Sequence, residues 1–236
     1  PNTMKNNLNT SLKLKVFTGK NGTCQQLLSG HANIPQILAV GVGKKNEINS
    51  EKLRRAAGTA GKILASMKVK SFGFAATSHI QKKSEINIGQ VLVEGLTLGA
   101  YKFNKYKESQ DEKSKLRSIK IICFDPDNIT NRKDLKTGIM RAEATNLARD
   151  LGNTPANDLK PKDLASTAKN IAKQHKMNCT VLEEKQMKTL GMEMLLGVSR
   201  GSREPAKLIL MEYFHQKAKQ TIALVGKGVT FDSGGI

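Results

Sequence analysis

The sequence contains no tryptophan, and its three cysteines, Cys24, Cys123 and Cys179, are far apart. They form no C-x-x-C pair, which excludes a zinc ribbon and a thioredoxin-type redox motif. No apolar run approaches the roughly 18 residues of a membrane-spanning helix, and the first residues lack the apolar core of a signal peptide. We therefore expect a cytoplasmic, reduced protein that does not enter a membrane.

Acidic residues are also scarce, because 39 Lys and Arg residues stand against 20 Asp and Glu residues, for a net charge of +19. Most of the excess is lysine, and it is spread along the chain rather than clustered. Lysine is a solvated point charge, whereas arginine binds phosphate through its planar fork. A solvated lysine surface is therefore the favoured interpretation. Weak DNA or RNA binding by a basic N-terminal domain is the alternative function.

Strand and helix patterns alternate over the first part of the chain. Apolar runs predict strands, and apolar residues at helical spacing predict helices. The predicted strands are 11–18, 36–43, 71–77 and 118–124, and the predicted helices are 50–70 and 87–107. Ser50 can cap the first of these helices. Gly95 and Gly99 in the second helix would allow close packing against a neighbour.

This alternation predicts an α/β domain with a mostly parallel sheet in residues 1–131. A helix over 132–152 is predicted to link it to a second domain, 153–236, of which only the first part of an α/β/α arrangement is present. In that second domain the patterns predict a helix opened by Pro161. Further predicted elements are a strand at 179–184, a methionine-rich helix at 184–197, and strands at 206–214 and 221–231.

Two motifs match enzyme signatures only in part. "GVGKKN", residues 41–46, lacks the third glycine of a dinucleotide fingerprint, so its glycines are interpreted as the end of a strand. "GVSRG" places Ser199 in a G-x-S-x-G pattern, but a helix is predicted before the serine where a hydrolase requires a strand. The four histidines are scattered and form no metal-binding pair.

The stretch "GKGVTFDSGGI", residues 226–236, follows the apolar run "TIALV" and contains Lys227 and Asp232. One interpretation is a strand followed by a glycine-rich turn, with both side chains in solvent. The other is a site at the carboxyl end of a buried strand, where α/β sheets place their ligands. A lysine amine binds a divalent metal only without its proton, and a neighbouring dication favours that form. A carboxylate can share its two oxygens between two ions, so this pair suits part of a two-metal centre.

"LVGKGVTFDSGGI" also resembles the signature segment of the cytosolic leucyl aminopeptidases. "ARDLGNTPANDLKPKDLA" and "LLGVSRGSREPAKLILMEY" resemble the start of that family's catalytic domain. "VGVGKKNEINSEKLRRAAG" and "EGLTLGAYKFNKYK" resemble its N-terminal domain. Together these segments cover most of residues 37–236 in the family's order. The resemblance implies an N-terminal α/β domain, a linking helix and the beginning of an α/β/α catalytic domain.

The resemblance further implies a metal-dependent aminopeptidase that releases leucine-like N-terminal residues from peptides by means of a water activated by two metals. Lys227 would bind one ion through its amine, and Asp232 would bridge both ions. The ions would be Zn or Mn, and the choice between them is left open, as is the preferred N-terminal residue. The family acts on peptide substrates and is typically a homohexamer.

The sequence departs from the family pattern at Ile236, because the remaining ligands and the family's catalytic lysine and arginine lie beyond it. No catalytic residue is therefore assigned within the chain. We expect the sequence to be the amino-terminal portion of an aminopeptidase and to be inactive alone. A smaller departure is Lys160 before Pro161, where family members often have a capping hydroxyl. It is predicted to weaken the helix start by about 1 kcal/mol.

Overall fold

The structure is a computed structural model that describes residues 2–31, 34–67, 71–74, 86–107, 118–121 and 132–231. It forms two compact units, Pro1–Asp150 and Leu151–Ile236. The described helices are α1 (Asn2–Lys13), α2 (Ser50–Ser66), α3 (Ile88–Gly99), α4 (Arg132–Asn153), α5 (Pro161–His175), α6 (Glu184–Thr189) and α7 (Glu193–Ser199), with a 3-10 turn at Lys45–Glu47. The described strands are β1 (Cys24–His31), β2 (Ile34–Val40), β3 (Ser71–Phe74), β4 (Ser118–Ile121), β5 (Asn178–Leu182) and β6 (Leu208–Glu212).

The first unit contains an antiparallel strand pair and a parallel one. β1 pairs antiparallel with β2, with Leu27 opposite Ile37. β3 pairs parallel with β4, with Phe72 opposite Ile119. The α/β class predicted from the sequence is confirmed. The pairing is mixed among the described strands because β1, which the sequence patterns did not predict, runs against β2.

The core of the first unit lies between α2, α3 and the strands. Leu53, Leu92 and Leu96 are almost completely buried there, and each such side chain contributes roughly 1.5–3 kcal/mol. Side chains of β2 and β3 pack against this core and are partly buried. The core residues are Ile48, Leu53, Ala57, Ala60, Leu64, Ile86, Ile88, Val91, Leu92 and Leu96.

Glycines hold α2 and α3 in backbone contact. A Cβ atom placed on Gly95 of α3 would lie 2.3 Å from the carbonyl oxygen of Arg54 in α2. In the other direction, a Cβ on Gly61 would lie 2.3 Å from the carbonyl oxygen of Leu96. Real Cβ atoms do not approach so closely, so no other residue type fits without moving a helix. The close packing predicted for Gly95 and Gly99 is confirmed.

Helix α4 packs against the other side of α3. A Cβ on Gly138 would lie 2.5 Å from a backbone carbonyl oxygen of α3. Further along, the guanidinium of Arg149 donates to the carbonyl oxygen of Leu98 at 3.0 Å and lies over the ring of Tyr101. The hydroxyl of Tyr101 donates to the Asp150 carboxylate at 2.8 Å. α4 is therefore attached to α3 at two places along its length.

The strand predicted at 11–18 is wrong, because these residues form the end of α1 and the turn after it. Lys15 has a φ of 55°, and the N–H groups of Val16 and Phe17 donate to the carbonyl oxygen of Ser11. This left-handed residue and its back-directed hydrogen bonds close a helix. Among the apolar side chains of the segment only Phe17 is buried, so the alternating pattern does not reflect a strand with one buried face.

The second unit is built on the antiparallel pair β5 and β6, with Thr180 opposite Leu210. Helix α5 packs against this pair and buries Ala165, Ala168 and Ala172. The small side chains of this face allow the helix to lie close to the strands. The predicted helix opened by Pro161 is confirmed as α5 (Pro161–His175). The strand predicted at 206–214 is confirmed as the shorter β6 (Leu208–Glu212).

The methionine-rich helix predicted at 184–197 is interrupted. α6 ends where the N–H of Leu190 donates to the carbonyl oxygen of Gln186, and Gly191 then adopts a φ of +71°. α7 begins two residues later. The glycine explains the break, because only a residue without a Cβ atom adopts this conformation without strain. Met187 is fully buried in α6.

The strand predicted at 221–231 is also wrong. The segment has no regular secondary structure and is exposed, with Ile222 at 83%, Leu224 at 94% and Val225 at 98% of full exposure. A strand forms only beside a neighbour with which its backbone exchanges hydrogen bonds. None of the described strands pairs with this segment. Separately, none of the described helices is long and apolar enough to span a membrane.

Candidate metal centre

Lys227 lies in the exposed segment that follows β6. Its neighbours Gly226 and Gly228 do not have positive φ angles, so the backbone conformation does not require glycine at either position. A Cβ on Gly226 would meet no atom within 4 Å. The space next to Lys227 is therefore open on that side. Asp232 lies outside the described residues, so its pairing with Lys227 stays a prediction.

The lysine-bearing segment passes near the first turn of α5. A Cβ on Gly228 would lie 3.8 Å from Cδ1 of Leu164, which is ordinary van der Waals distance. Leu164 is half-buried, and its N–H donates to the carbonyl oxygen of Lys160 within the helix. The residue after Lys227 thus lies near Leu164, with room for a Cβ atom between the two.

The start of α5 has its own anchors. The backbone N–H of Lys160 donates to the Asp163 carboxylate at 2.9 Å, which is one half of a capping box. The ammonium of Lys160 donates to the Glu204 carboxylate at 2.5 Å, and this hydrogen bond raises the pKa of Lys160. The sequence patterns indicated only a missing capping hydroxyl here. The partner at position 204 could not be predicted, because it lies far away in the chain.

The loop that contains Glu204 is held from its other end as well. The backbone N–H of Ala206 donates to the Glu184 carboxylate at 2.9 Å. The ammonium of Lys207 forms an ion pair with Glu183. These contacts join the loop to the start of α6. Glu204, the partner of Lys160, therefore has a fixed position in the unit.

Within the described ranges, no group of three or more His, Cys, Asp and Glu residues is placed to hold a metal ion. A deprotonated lysine amine and a carboxylate are suitable donors for a divalent ion, and the backbone beside Lys227 is open on the Gly226 side. Two donors do not fill the coordination shells of two ions, since even a tetrahedral ion takes four ligands. By donor chemistry alone, Lys227 and Asp232 would supply one side of a metal centre.

Ser199 does not belong to a hydrolase elbow. It is the last residue of α7, and its hydroxyl donates to the carbonyl oxygen of Leu196 at 3.2 Å. Helix α7, and not a strand, leads directly into it. The interpretation of Ser199 as a structural residue is consistent with this position.

Two family models match the chain. The model of the cytosol aminopeptidase family, N-terminal domain, matches residues 2–110, and that of the family's catalytic domain matches residues 146–236. The chain belongs to the cytosol aminopeptidase family. The resemblance inferred from its motifs is therefore confirmed. Both domains contribute to this assignment, in the order that the motifs indicated.

Bacterial members of the cytosol aminopeptidase family match nearly the whole chain. The probable cytosol aminopeptidase of Clostridium perfringens is 37% identical over 241 residues, which cover 98% of this chain and 48% of that protein. The probable cytosol aminopeptidase of Alkaliphilus oremlandii is 36% identical, covering 94% of this chain and 45% of that protein. The chain spans about half the length of the curated relatives it matches.

Solved structures of similar fold include a variant of tomato leucine aminopeptidase. It has a TM-score of 0.82 and 27% sequence identity, and the match covers 97% of this chain and 45% of the tomato chain. The bottromycin maturation enzyme BotP, solved in complex with Mn, has a TM-score of 0.72 at 24% identity, covering 87% of this chain and 42% of that one. The second likeness concerns the fold alone.

Proposed function

We propose that this family member acts as a metal-dependent aminopeptidase that releases leucine-like N-terminal residues from peptides. The observation that carries the proposal is the match of both family domains, in order, along one chain. The relatives that cover nearly the whole chain are named as probable cytosol aminopeptidases. The alternative, nucleic-acid binding by a basic N-terminal domain, gains no support from these matches.

Lys227 and Asp232 are the residues proposed to hold metal. The neutral amine of Lys227 would donate its lone pair to one ion, and the carboxylate of Asp232 would give one oxygen to each of two ions. Bound Zn or Mn would supply Lewis-acid activation of water and of the scissile carbonyl. The absence of side chains on Gly226 and Gly228 removes bulk on both sides of Lys227. Since BotP was solved with Mn, Mn²⁺ is the first ion to test.

The two proposed ligands leave most coordination positions of two ions unfilled. We therefore propose that the remaining ligands, and the catalytic lysine and arginine of the family, are supplied by residues beyond Ile236. The 236-residue chain would then be inactive alone. Homohexamer assembly, as is typical of the family, is proposed for the complete polypeptide.

The test compares two proteins: the 236-residue chain and the product of the complete reading frame that contains it. Both are freed of metal with a chelator and assayed on a leucyl chromogenic amide with Mn²⁺ or Zn²⁺. The complete polypeptide should hydrolyse the free-amine substrate but not its N-acetylated form, because an exopeptidase requires the free terminus. Hydrolysis of the acetylated substrate, or metal-independent turnover, would refute the proposal. Robust turnover by the short chain would refute the incomplete site.

A further inference from the structure

Three contacts join the end of α3 to the end of α4, and they connect residues that the two family models match separately. Leu98 and Tyr101 lie within the match to the N-terminal domain model, whereas Arg149 and Asp150 lie within the match to the catalytic domain model. All four residues nevertheless belong to the first compact unit. The first residues of the catalytic-domain match are therefore part of the unit that contains the N-terminal domain.

In one direction, α4 binds the last turn of α3. The guanidinium of Arg149 donates to the carbonyl oxygen of Leu98 at 3.0 Å. Carbonyl groups in the last turn of a helix have no N–H partner further along that helix. The negative end of the helix dipole also favours a cation at this place. The Asn146 side chain accepts a hydrogen bond from the same guanidinium nitrogen at 3.2 Å and helps to orient it.

In the other direction, a residue that follows α3 binds the end of α4. The hydroxyl of Tyr101 donates to the Asp150 carboxylate at 2.8 Å, and Arg149 lies over the tyrosine ring with its guanidinium carbon 5.3 Å from the ring centre. The helix dipole opposes a carboxylate near a helix C-terminus, and the donated hydrogen bond offsets this cost. The two helix ends thus bind each other through hydrogen-bond partners 49 and 51 residues apart in the sequence.

We propose that Tyr101, Arg149 and Asp150 form a helix-end lock that holds the start of the catalytic domain on the N-terminal domain. The two helix ends open and close together, because each supplies hydrogen-bond partners to the other. The N-terminal domain is then an interaction partner of the first helix of the catalytic domain. The inference involves no metal and does not rest on the aminopeptidase proposal, so the 236-residue chain is sufficient to test it.

The test follows amide hydrogen exchange by mass spectrometry, with each substitution monitored on the opposite helix. Tyr101→Phe keeps the ring and removes the hydroxyl. It should accelerate exchange in the last turn of α4 about fivefold, which corresponds to the loss of one hydrogen bond. Arg149→Met keeps an apolar stem and removes the guanidinium. It should accelerate exchange in the last turn of α3 about tenfold, because a charged hydrogen bond and the ring contact are both lost.

Arg141→Met is the matched control, because it removes an exposed arginine about two turns earlier in the same helix. Exchange in the last turn of α3 should stay within about twofold of the wild type, as is usual for surface substitutions. Exchange in α2 should be unchanged in all three variants, and the melting temperature records that each variant is folded.

Three results would overturn the helix-end lock. Acceleration confined to the helix nearest the substitution would show local fraying without coupling between the two ends. Equal acceleration by Arg141→Met would show a general effect of removing a charge. Acceleration of α2 together with both helix ends would show that the whole unit opens. Failure of the aminopeptidase proposal, in contrast, would leave the expected exchange rates as they are.

Discussion

Gly99 of α3 lies directly against the backbone of Gly58 in α2: a Cβ atom on Gly99 would sit 1.9 Å from the Gly58 carbonyl oxygen. Neither glycine has a positive φ, so the requirement is for space and not for backbone conformation. The atom in the way is a backbone oxygen within a helix, which cannot swing aside. The spacing of α2 and α3 therefore depends on this glycine.

Replacement of Gly99 by alanine should destabilise the chain. The added methyl group forces α2 and α3 apart and loosens the core between them, for an expected loss of about 1–3 kcal/mol in the free energy of unfolding. Gly152→Ala in α4 is the matched control, because a Cβ there meets nothing within 4 Å. It should be neutral or stabilising by up to about 1 kcal/mol. Urea unfolding measures both, and equal stabilities would contradict the close contact.

The cap of α2 gives a second test. The Asn49 side chain accepts a hydrogen bond from the N–H of Lys52 at 2.9 Å, whereas Ser50, expected from the sequence to cap the helix, is its first residue. Asn49→Ala should therefore lower the free energy of unfolding by about 0.5–2 kcal/mol, and Ser50→Ala should change it little. A larger loss of stability for Ser50→Ala than for Asn49→Ala in thermal or urea unfolding would show that Ser50 caps the helix.

The ion pair of Lys160 and Glu204 predicts a pH dependence at alkaline pH. Their hydrogen bond raises the pKa of Lys160 in the folded chain. A raised lysine pKa stabilises the folded state below the ordinary lysine value, near pH 10.4, and this contribution disappears as the pH rises through the raised pKa. Lys160→Met should be less stable than the wild type at pH 8, and the difference should shrink as the pH rises through the raised lysine pKa.

The control for this pH experiment is Lys162→Met, which removes an exposed lysine from the same turn of α5. Unfolding by urea is followed from pH 8 to about pH 11.5, the range over which lysine loses its proton. The Lys162 variant should keep a constant difference from the wild type across that range. A Lys160 difference that stays constant, or grows with pH, would show that the pair does not contribute as described.

Local patterns predicted the elements whose signals are local. Gly95 and Gly99 indicated close packing in α3, and Pro161 marked the start of α5, because missing side chains and a fixed φ act at their own positions. The interruption at Gly191 went unpredicted, since a single glycine in a helical pattern is compatible with an unbroken helix.

The incorrect predictions concern elements whose formation depends on partners distant in the sequence. The alternation at 11–18 and the apolar run at 221–231 are both compatible with strands, but strand formation also requires a neighbour to pair with. β1 was not predicted, because its strand conformation depends on pairing with β2 more than on its own sequence pattern. The same limit applies to the site. Lys227 and Asp232 are five residues apart in sequence, and their assignment came from a family resemblance.

The most direct test of the two-metal centre replaces both proposed ligands in the polypeptide from the complete reading frame. Turnover of a leucyl amide at saturating Mn²⁺ is compared among the wild type, the double variant Lys227→Ala with Asp232→Ala, and Lys219→Ala, which removes another exposed lysine nearby. Loss of metal ligands should lower the rate of the double variant by at least about 100-fold and leave Lys219→Ala unchanged. A double variant that cleaves at the wild-type rate would contradict the assignment of these two residues.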